Sequence, residues 1–361
     1  MRKLTSKEKN IAQYTFLLFL IGFTVYIIST TVDYRRIPDV IAFVNKKFLF
    51  LGMLLILIYI VLETIIFQFI INSVEKDKKK RTIGLQMGTM GLYYNLVTPF
   101  ASGSQPMQIY VMNRYGIGLS KAVAIVTNKT VLFQTVVTLI CGVIIFLNRK
   151  MIIADHRHII MLLTIGMIMN LVTILGGLMI VLNPKFMKKL ADIVINGLGR
   201  FRIFKFLRGK NERCYNYIDD FNKSILMYIT DIKSLVITLI LTFLQLFVYF
   251  SIVFCIYKAS KLAGASFYLL FSLQVLLYMT ISPIPTPGNV GANEITFFGI
   301  FRGVFPKKYI GYAVIMYSFL VYYFILLLCG VCTWISHYHM NKLDNLGEFE
   351  KISREEDSYP R

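Results

Sequence analysis

Two ionisable side chains interrupt otherwise apolar runs: Glu63, within Ile60-Val61-Leu62-Glu63-Thr64-Ile65-Ile66, and Lys129, within Thr127-Asn128-Lys129-Thr130. A charge at the centre of a membrane helix costs about 2.5–3.5 kcal/mol on insertion scales, so such a residue is paired or faces a polar cavity. A Glu63–Lys129 ion pair makes both tolerable, and a role in transport is the alternative; the residue types leave both open. Other polar candidates gather at two interruptions. The first is Thr98-Pro99-Phe100-Ala101-Ser102-Gly103-Ser104-Gln105-Pro106, with Gln108 just beyond and Arg114 further on. The second is Ser282-Pro283-Ile284-Pro285-Thr286-Pro287-Gly288-Asn289-Val290-Gly291, with Glu294 just beyond and Arg302 further on. Glu63 and Glu294 thus stand against Arg114, Lys129 and Lys121, a set that would welcome a phosphate headgroup. Helices opening at Gly103–Gln108 and Gly291–Glu294 would add backbone donors and a positive dipole end for an anion. For Arg114 and Arg302 the plainer reading is snorkelling to the interface.

The elements that must position these residues follow from composition. The 361 residues are 56% hydrophobic and only 16% charged, with mean hydropathy +0.63, a balance that calls for lipid as part of the solvent. Crossing a hydrocarbon core of about 30 Å takes roughly 20 helical residues. Apolar runs of that length lie at 11–31, 48–72, 122–147, 159–182, 234–257 and 309–335. The stretches 83–101 and 267–282 instead run into the two Pro/Gly clusters. Unpaired backbone cannot face lipid, so each cluster must be buried in protein or line a wet cavity, which makes both candidates for re-entrant hairpins. The order is then span, span, re-entrant, span, repeated in opposite orientation. Paired interruptions at corresponding positions of an inverted repeat point to a transport site. The expected fold is an all-α polytopic membrane protein with about six full transmembrane helices and two re-entrant broken-helix hairpins. Its single translocation domain covers 1–335, in halves 1–147 and 159–335, followed by a cytoplasmic tail at 336–361. The cavity is expected to draw on Glu63, Pro99, Ser102, Gly103, Gln105, Gln108, Arg114, Lys129, Pro283, Pro287, Gly288, Asn289, Gly291 and Glu294. The competing reading of the breaks is two unrelated proline kinks.

The formal charge of +20 lies in short loops between apolar runs, which argues against a nucleic-acid face and for the positive-inside rule, with both termini cytoplasmic. The first apolar run is too long for a typical signal peptide and reads as a retained span. The one sizeable polar insertion, 183–233, reads as one or two amphipathic helices. Phe186, Leu190, Ile193 and Ile195, then Phe201, Ile203, Phe204, Phe206 and Leu207, alternate with cations, as suits an anionic inner surface. Cys329 and Cys332 have C-x-x-C spacing within an apolar run, where small apolar side chains are the simpler reading. The His-x-His pairs at 156–158 and 337–339 have no third ligand nearby, so no metal site is expected. No catalytic residue and no cofactor are expected either.

The two interruptions also carry a family resemblance. Ser102-Gly103-Ser104-Gln105-Pro106-Met107-Gln108-Ile109-Tyr110 is similar to an S-G-G-Q-P-x-Q-x-Y pattern, and Pro287-Gly288-Asn289-Val290-Gly291-Ala292-Asn293-Glu294 to P-G-G-x-G-x-x-E. Both occur in the membrane domain of bacterial phosphatidylglycerol lysyltransferases, the multiple peptide resistance factor, and in its stand-alone relatives. Ser104 and Asn289 stand where that family often has Gly, and Asn128-Lys129 where many members have an acidic-basic pair. The resemblance covers nearly the whole chain and implies a flippase or scramblase for a polar, anionic or aminoacylated phospholipid of the bacterial cytoplasmic membrane. The implied partners are membrane phospholipids and a separately encoded lipid-modifying synthase, since the family's synthase domain is not expected in this chain. The alternatives are a membrane component of lysyl-phosphatidylglycerol synthesis and a non-transporting envelope scaffold. The sequence does not determine which lipid is moved, the energy coupling or the oligomeric state.

Overall fold

The computed structural model describes residues 37–75, 83–98, 102–155, 157–198, 211–284 and 286–345. The apolar run 11–31 and the cluster Phe201–Leu207 lie outside these residues. The described residues form helices and turns with no strand. The helices are α1 (Ile37–Phe43), α2 (Lys46–Val74), α3 (Gly84–Val97), α4 (Ser104–Arg114), α5 (Leu119–Leu147), α6 (Arg149–Asp155) and α7 (Ile160–Leu182). They continue with α8 (Pro184–Leu198), α9 (Asn211–Thr230), α10 (Ile232–Ala259), α11 (Phe267–Ile281), α12 (Ala292–Phe301), α13 (Ile310–Ser318) and α14 (Ile325–Asn345). A π-helical turn, Phe319–Phe324, joins the last two into one rod.

Five of these elements are long and apolar enough to cross a membrane: Lys46–Val74, Leu119–Leu147, Ile160–Ile180, Ile232–Ala259 and Ile310–Met340. Their starts are set locally. Asn45 accepts from the Lys47 N–H, and Asp231 accepts from both the N–H and the hydroxyl of Ser234, each satisfying a donor the first helical turn leaves unpaired. The outward faces carry Phe50, Leu139, Met161, Val172 and Phe243, all exposed. Such large apolar area has no place in water and is ordinary against lipid. The protein is an all-helical, multi-pass membrane protein.

The four helices at the breaks are too short to cross. At 1.5 Å per residue, α3 and α11 reach roughly 20 Å, and α4 and α12 roughly 15 Å. At the first break the residue before proline is pushed out of helical geometry: Thr98, before Pro99, is extended (φ −116°, ψ 145°). At the second, α11 stops at Ile281 while Ser282, before Pro283, still has helical angles (φ −49°, ψ −40°).

The halves repeat their contacts. In the first, α2 packs on α3, α3 on α4 and α4 on α5; in the second, α10 packs on α11, α11 on α12 and α12 on α13. Across the halves, α3 meets α14 while α11 meets α5. At the centre α2 and α10 run antiparallel, with the Asn45 N–H donating to the Ala259 carbonyl at one end and Gln245 reaching Glu63 further along.

Close approach of α3 to α4 depends on Gly91, where a Cβ would stand 2.1 Å from Gln108 Nε2. Gln108 is buried and donates to the Met87 carbonyl at 3.0 Å. Gly91→Ala is therefore expected to push that amide off its acceptor and cost about 1–3 kcal/mol, the range for leaving a buried polar group unsatisfied. The thermal unfolding midpoint in detergent checks this; combining it with Gln108→Leu should recover part of the loss.

The insertion forms two helices, as one of its sequence readings has it, but the second is not a free surface helix. α9 packs against α5 and α8 and buries Ser224, Ile225 and Tyr228. Its Tyr215 hydroxyl and Asn211 amide both donate to Asp192 of α8, and Lys188 pairs with Asp219. The apolar face of α9 is hidden in the sequence by its many charges, whereas α8 keeps Phe186, Leu190 and Ile193 exposed along one side.

Candidate functional site

The second break packs against the end of the helix that leads into the first. The short helical turn Pro287–Asn289 packs on α3, and Gly288 sits where a Cβ would meet the Leu96 carbonyl at 2.8 Å and the Tyr322 ring at 2.1 Å. Gly288 and Asn289 both have φ 57° and Gly291 has φ 83°, the left-handed region that glycine tolerates freely and asparagine better than most residues. Asn289, the departure from the family's glycine, keeps that geometry.

Between the last turn of α3 and the second break lies a cavity of about 280 Å³. Tyr59 of α2, Asn95 and Leu96 of α3, Phe133 and Gln134 of α5, Tyr249 of α10 and Tyr278 of α11 line it. Ser282, Thr286, Gly288 and Asn289 of the break, Asn293 of α12 and Val321 of the π-helical turn complete the wall. A larger groove of about 740 Å³ opens on the outer face of α5, α10 and α11, lined by Leu139, Val143, Ile240, Phe243, Phe247 and Phe271 among others. Cavity and groove thus share three helices, one polar in lining and the other apolar.

Of the residues singled out by sequence, Gly288 and Asn289 line this cavity directly. Glu63 and Lys129 do come together: Lys129 Nζ lies 2.5 Å from Glu63 Oε1, and Gln245 Nε2 donates to Glu63 Oε2 at 2.7 Å. Glu63 is 3% exposed. The Lys129 ammonium lies 5.3 Å from the Phe67 ring centroid and 4.9 Å from that of Phe133, so the pair stands behind a ring that itself faces the cavity. The pair ties α2, α5 and α10 together and takes up the charge of both residues.

Glu294 is equally engaged. Its Oε2 accepts the Gly291 N–H at 2.6 Å and its Oε1 accepts the Ser318 hydroxyl at 2.6 Å. The expectation that this helix start offers a free donor to an anion is corrected here: Gly291 donates to the helix's own carboxylate, which also fastens the break to α13. Arg114 closes α4 with its guanidinium 5.9 Å from the Tyr110 ring, and Lys121 pairs with Glu75 at 3.0 Å. In the first break Ser104 and Gln108 are buried. The Gly103 N–H donates to Thr98 Oγ1, and the exposed Gln105 reaches Thr130 Oγ1 at 3.2 Å. Pro99 lies outside the described residues; Ser102 is exposed beside the turn, Pro283 follows α11, and Pro287 opens the helical turn before Gly288.

The residues that reading for charge passes over are the uncharged polar ones: Tyr59, Asn95, Gln134, Tyr249, Tyr278 and Asn293. For Asn95 and Gln134 the signal is an amide inside an apolar run, as in Tyr93-Tyr94-Asn95-Leu96 and Phe133-Gln134; the three tyrosines carry no such signal. The π-helical turn, a feature frequent at functional sites, has no sequence signal that we can name.

Spanning helices, two broken helical pairs and a cavity between α3 and the second break define a polytopic membrane protein. A family model described as the lysylphosphatidylglycerol synthase TM region matches residues 10–329, and the chain belongs to that family. No curated protein and no solved structure matches it.

Proposed function

We propose that this chain is a flippase or scramblase that passes the polar headgroup of a membrane lipid through the central cavity while the acyl chains stay in the bilayer. The observation that carries this reading is the cavity's position, bounded by the last turn of α3 and the second break and walled by spanning helices, with an apolar groove on three of the same helices. Irregular backbone is tolerated at membrane depth only where protein or a wet cavity satisfies it. In this reading the breaks are the tips of re-entrant hairpins from opposite sides of the bacterial cytoplasmic membrane. The paired contacts of the halves and the antiparallel α2 and α10 support an inverted repeat, with both termini cytoplasmic and α8 lying along the inner surface. A headgroup in the cavity and an acyl chain in the groove lower the barrier to crossing without a covalent step. The charges expected to hold a phosphate are engaged elsewhere, so the reading rests on passage and not on charge.

The matched family's description favours a second reading, a membrane component of lysylphosphatidylglycerol synthesis that serves a separate synthase. Reconstitution separates the two. Proteoliposomes containing only this chain should expose inner-leaflet fluorescent lipid to an external quencher, and a component dependent on a synthase should not. Asn95→Phe, which fills the cavity from α3, should slow exposure at least tenfold by taking the space through which a headgroup passes. An unchanged rate in that folded variant would count against passage through this cavity.

A further inference from the structure

We infer that the cavity selects an uncharged, hydroxyl-rich headgroup, the sugar end of a glycolipid, over an aminoacyl cation or a phosphate. The inference rests on the passage reading above and adds the class of headgroup. Among the described residues that line the cavity none carries a formal charge. Its polar groups are tyrosine hydroxyls, serine and threonine hydroxyls and carboxamides, which are donors and acceptors of ordinary strength.

Asn293 points to a ligand. It is 5% exposed, lines the cavity, and its Oδ1 has no hydrogen-bond partner. Thr286 Oγ1, in the same wall, is likewise buried and unpartnered. An orphaned buried acceptor costs free energy until a donor reaches it. A hydroxyl donates and accepts at once, so it satisfies the Asn293 amide whichever way round that group sits.

The charged alternatives lack counter-groups. An aminoacyl ammonium would need a free carboxylate, yet both oxygens of Glu63 and of Glu294 are occupied by protein donors. A phosphate drawn fully into the cavity would need a cation or an open helix start. Lys129 is bound to Glu63, and the Gly291 N–H is bound to Glu294. Burying either ion without a counter-group costs far more than burying a diol that is fully hydrogen-bonded. At about 280 Å³ the cavity falls just under the usual small-molecule range of roughly 300–1,000 Å³, a scale for one sugar ring.

The full chain in proteoliposomes is given fluorescent phosphatidylglycerol, monoglucosyl diacylglycerol, lysyl-phosphatidylglycerol and phosphatidic acid in turn. The expected result is crossing of monoglucosyl diacylglycerol at least tenfold faster than the other three, each of which must carry a phosphate across. Asn293→Leu should slow that crossing about tenfold, the worth of one hydrogen bond at the upper end of its range. Tyr278→Phe removes one hydroxyl, keeps the ring, and should slow it several-fold without risk to the fold. Equal or faster crossing of phosphatidylglycerol, lysyl-phosphatidylglycerol or phosphatidic acid, or wild-type rates in both variants, would overturn the headgroup assignment and leave passage standing. No crossing of any lipid would overturn passage itself and the assignment with it.

Discussion

Lys129→Met alone is expected to destabilise the protein by about 3–5 kcal/mol, the range for breaking a buried ion pair by removing one partner. Glu63, 3% exposed, would be left with the Gln245 amide as its hydrogen-bond partner. The pair also joins three helices, so its loss loosens α2, α5 and α10 at once, and the yield of monodisperse protein in detergent should fall steeply. The double variant Glu63→Gln/Lys129→Met should recover most of the stability, because it removes both charges and leaves an amide for Gln245 to bond. Such recovery is the non-additivity that a direct interaction produces. The same double variant decides between the two roles the residue types leave open. As a clamp behind Phe133, the pair can be neutralised with lipid passage near the wild-type rate. A double variant that is folded but inactive would instead place the charges in transport.

The legibility of this protein tracks the size of the physical signal. Apolar runs are long and unambiguous, so the five spans among the described residues fall within a few residues of the runs at 48–72, 122–147, 159–182, 234–257 and 309–335. Proline and glycine act on the chain locally, which is why both breaks are readable from Pro99 and from Pro283 to Gly291. Charges in apolar surroundings are conspicuous, and Glu63, Lys129 and Glu294 draw the eye for that reason. Their partners are not readable: Gln245 lies on another helix, and Ser318 is one hydroxyl among many. Conspicuous charge also misdirects, because a buried charge must be neutralised where it stands and is then no longer free to bind. The cavity wall is made of groups that cost little to place in an apolar run, and they leave correspondingly little trace in the sequence. The burial of α9 was masked by its charges, since the apolar side chains that face α5 are few.

Gly288 is the position where a single methyl group should do most harm to the site. Its φ of 57° costs an L-residue about 1–2 kcal/mol. A Cβ would also stand 2.8 Å from the Leu96 carbonyl and 2.1 Å from the Tyr322 ring, adding about 1–3 kcal/mol of overpacking. The ring can turn aside, but the carbonyl belongs to the backbone of α3 and cannot. Gly288→Ala should therefore cost about 2–5 kcal/mol and push the second break away from α3, changing the shape of the cavity between them. Lipid crossing should fall at least tenfold even at a temperature where the variant remains folded. Tyr322→Leu in the same chain should restore part of the stability and little of the crossing, because it relieves the ring contact and leaves the carbonyl contact in place. Asn289→Gly, at the same φ, supplies the control and should stay within about 0.5 kcal/mol of the parent. If Gly288→Ala kept both stability and crossing, the contact between the second break and α3 would carry no functional weight, and the breaks would be separate structural kinks.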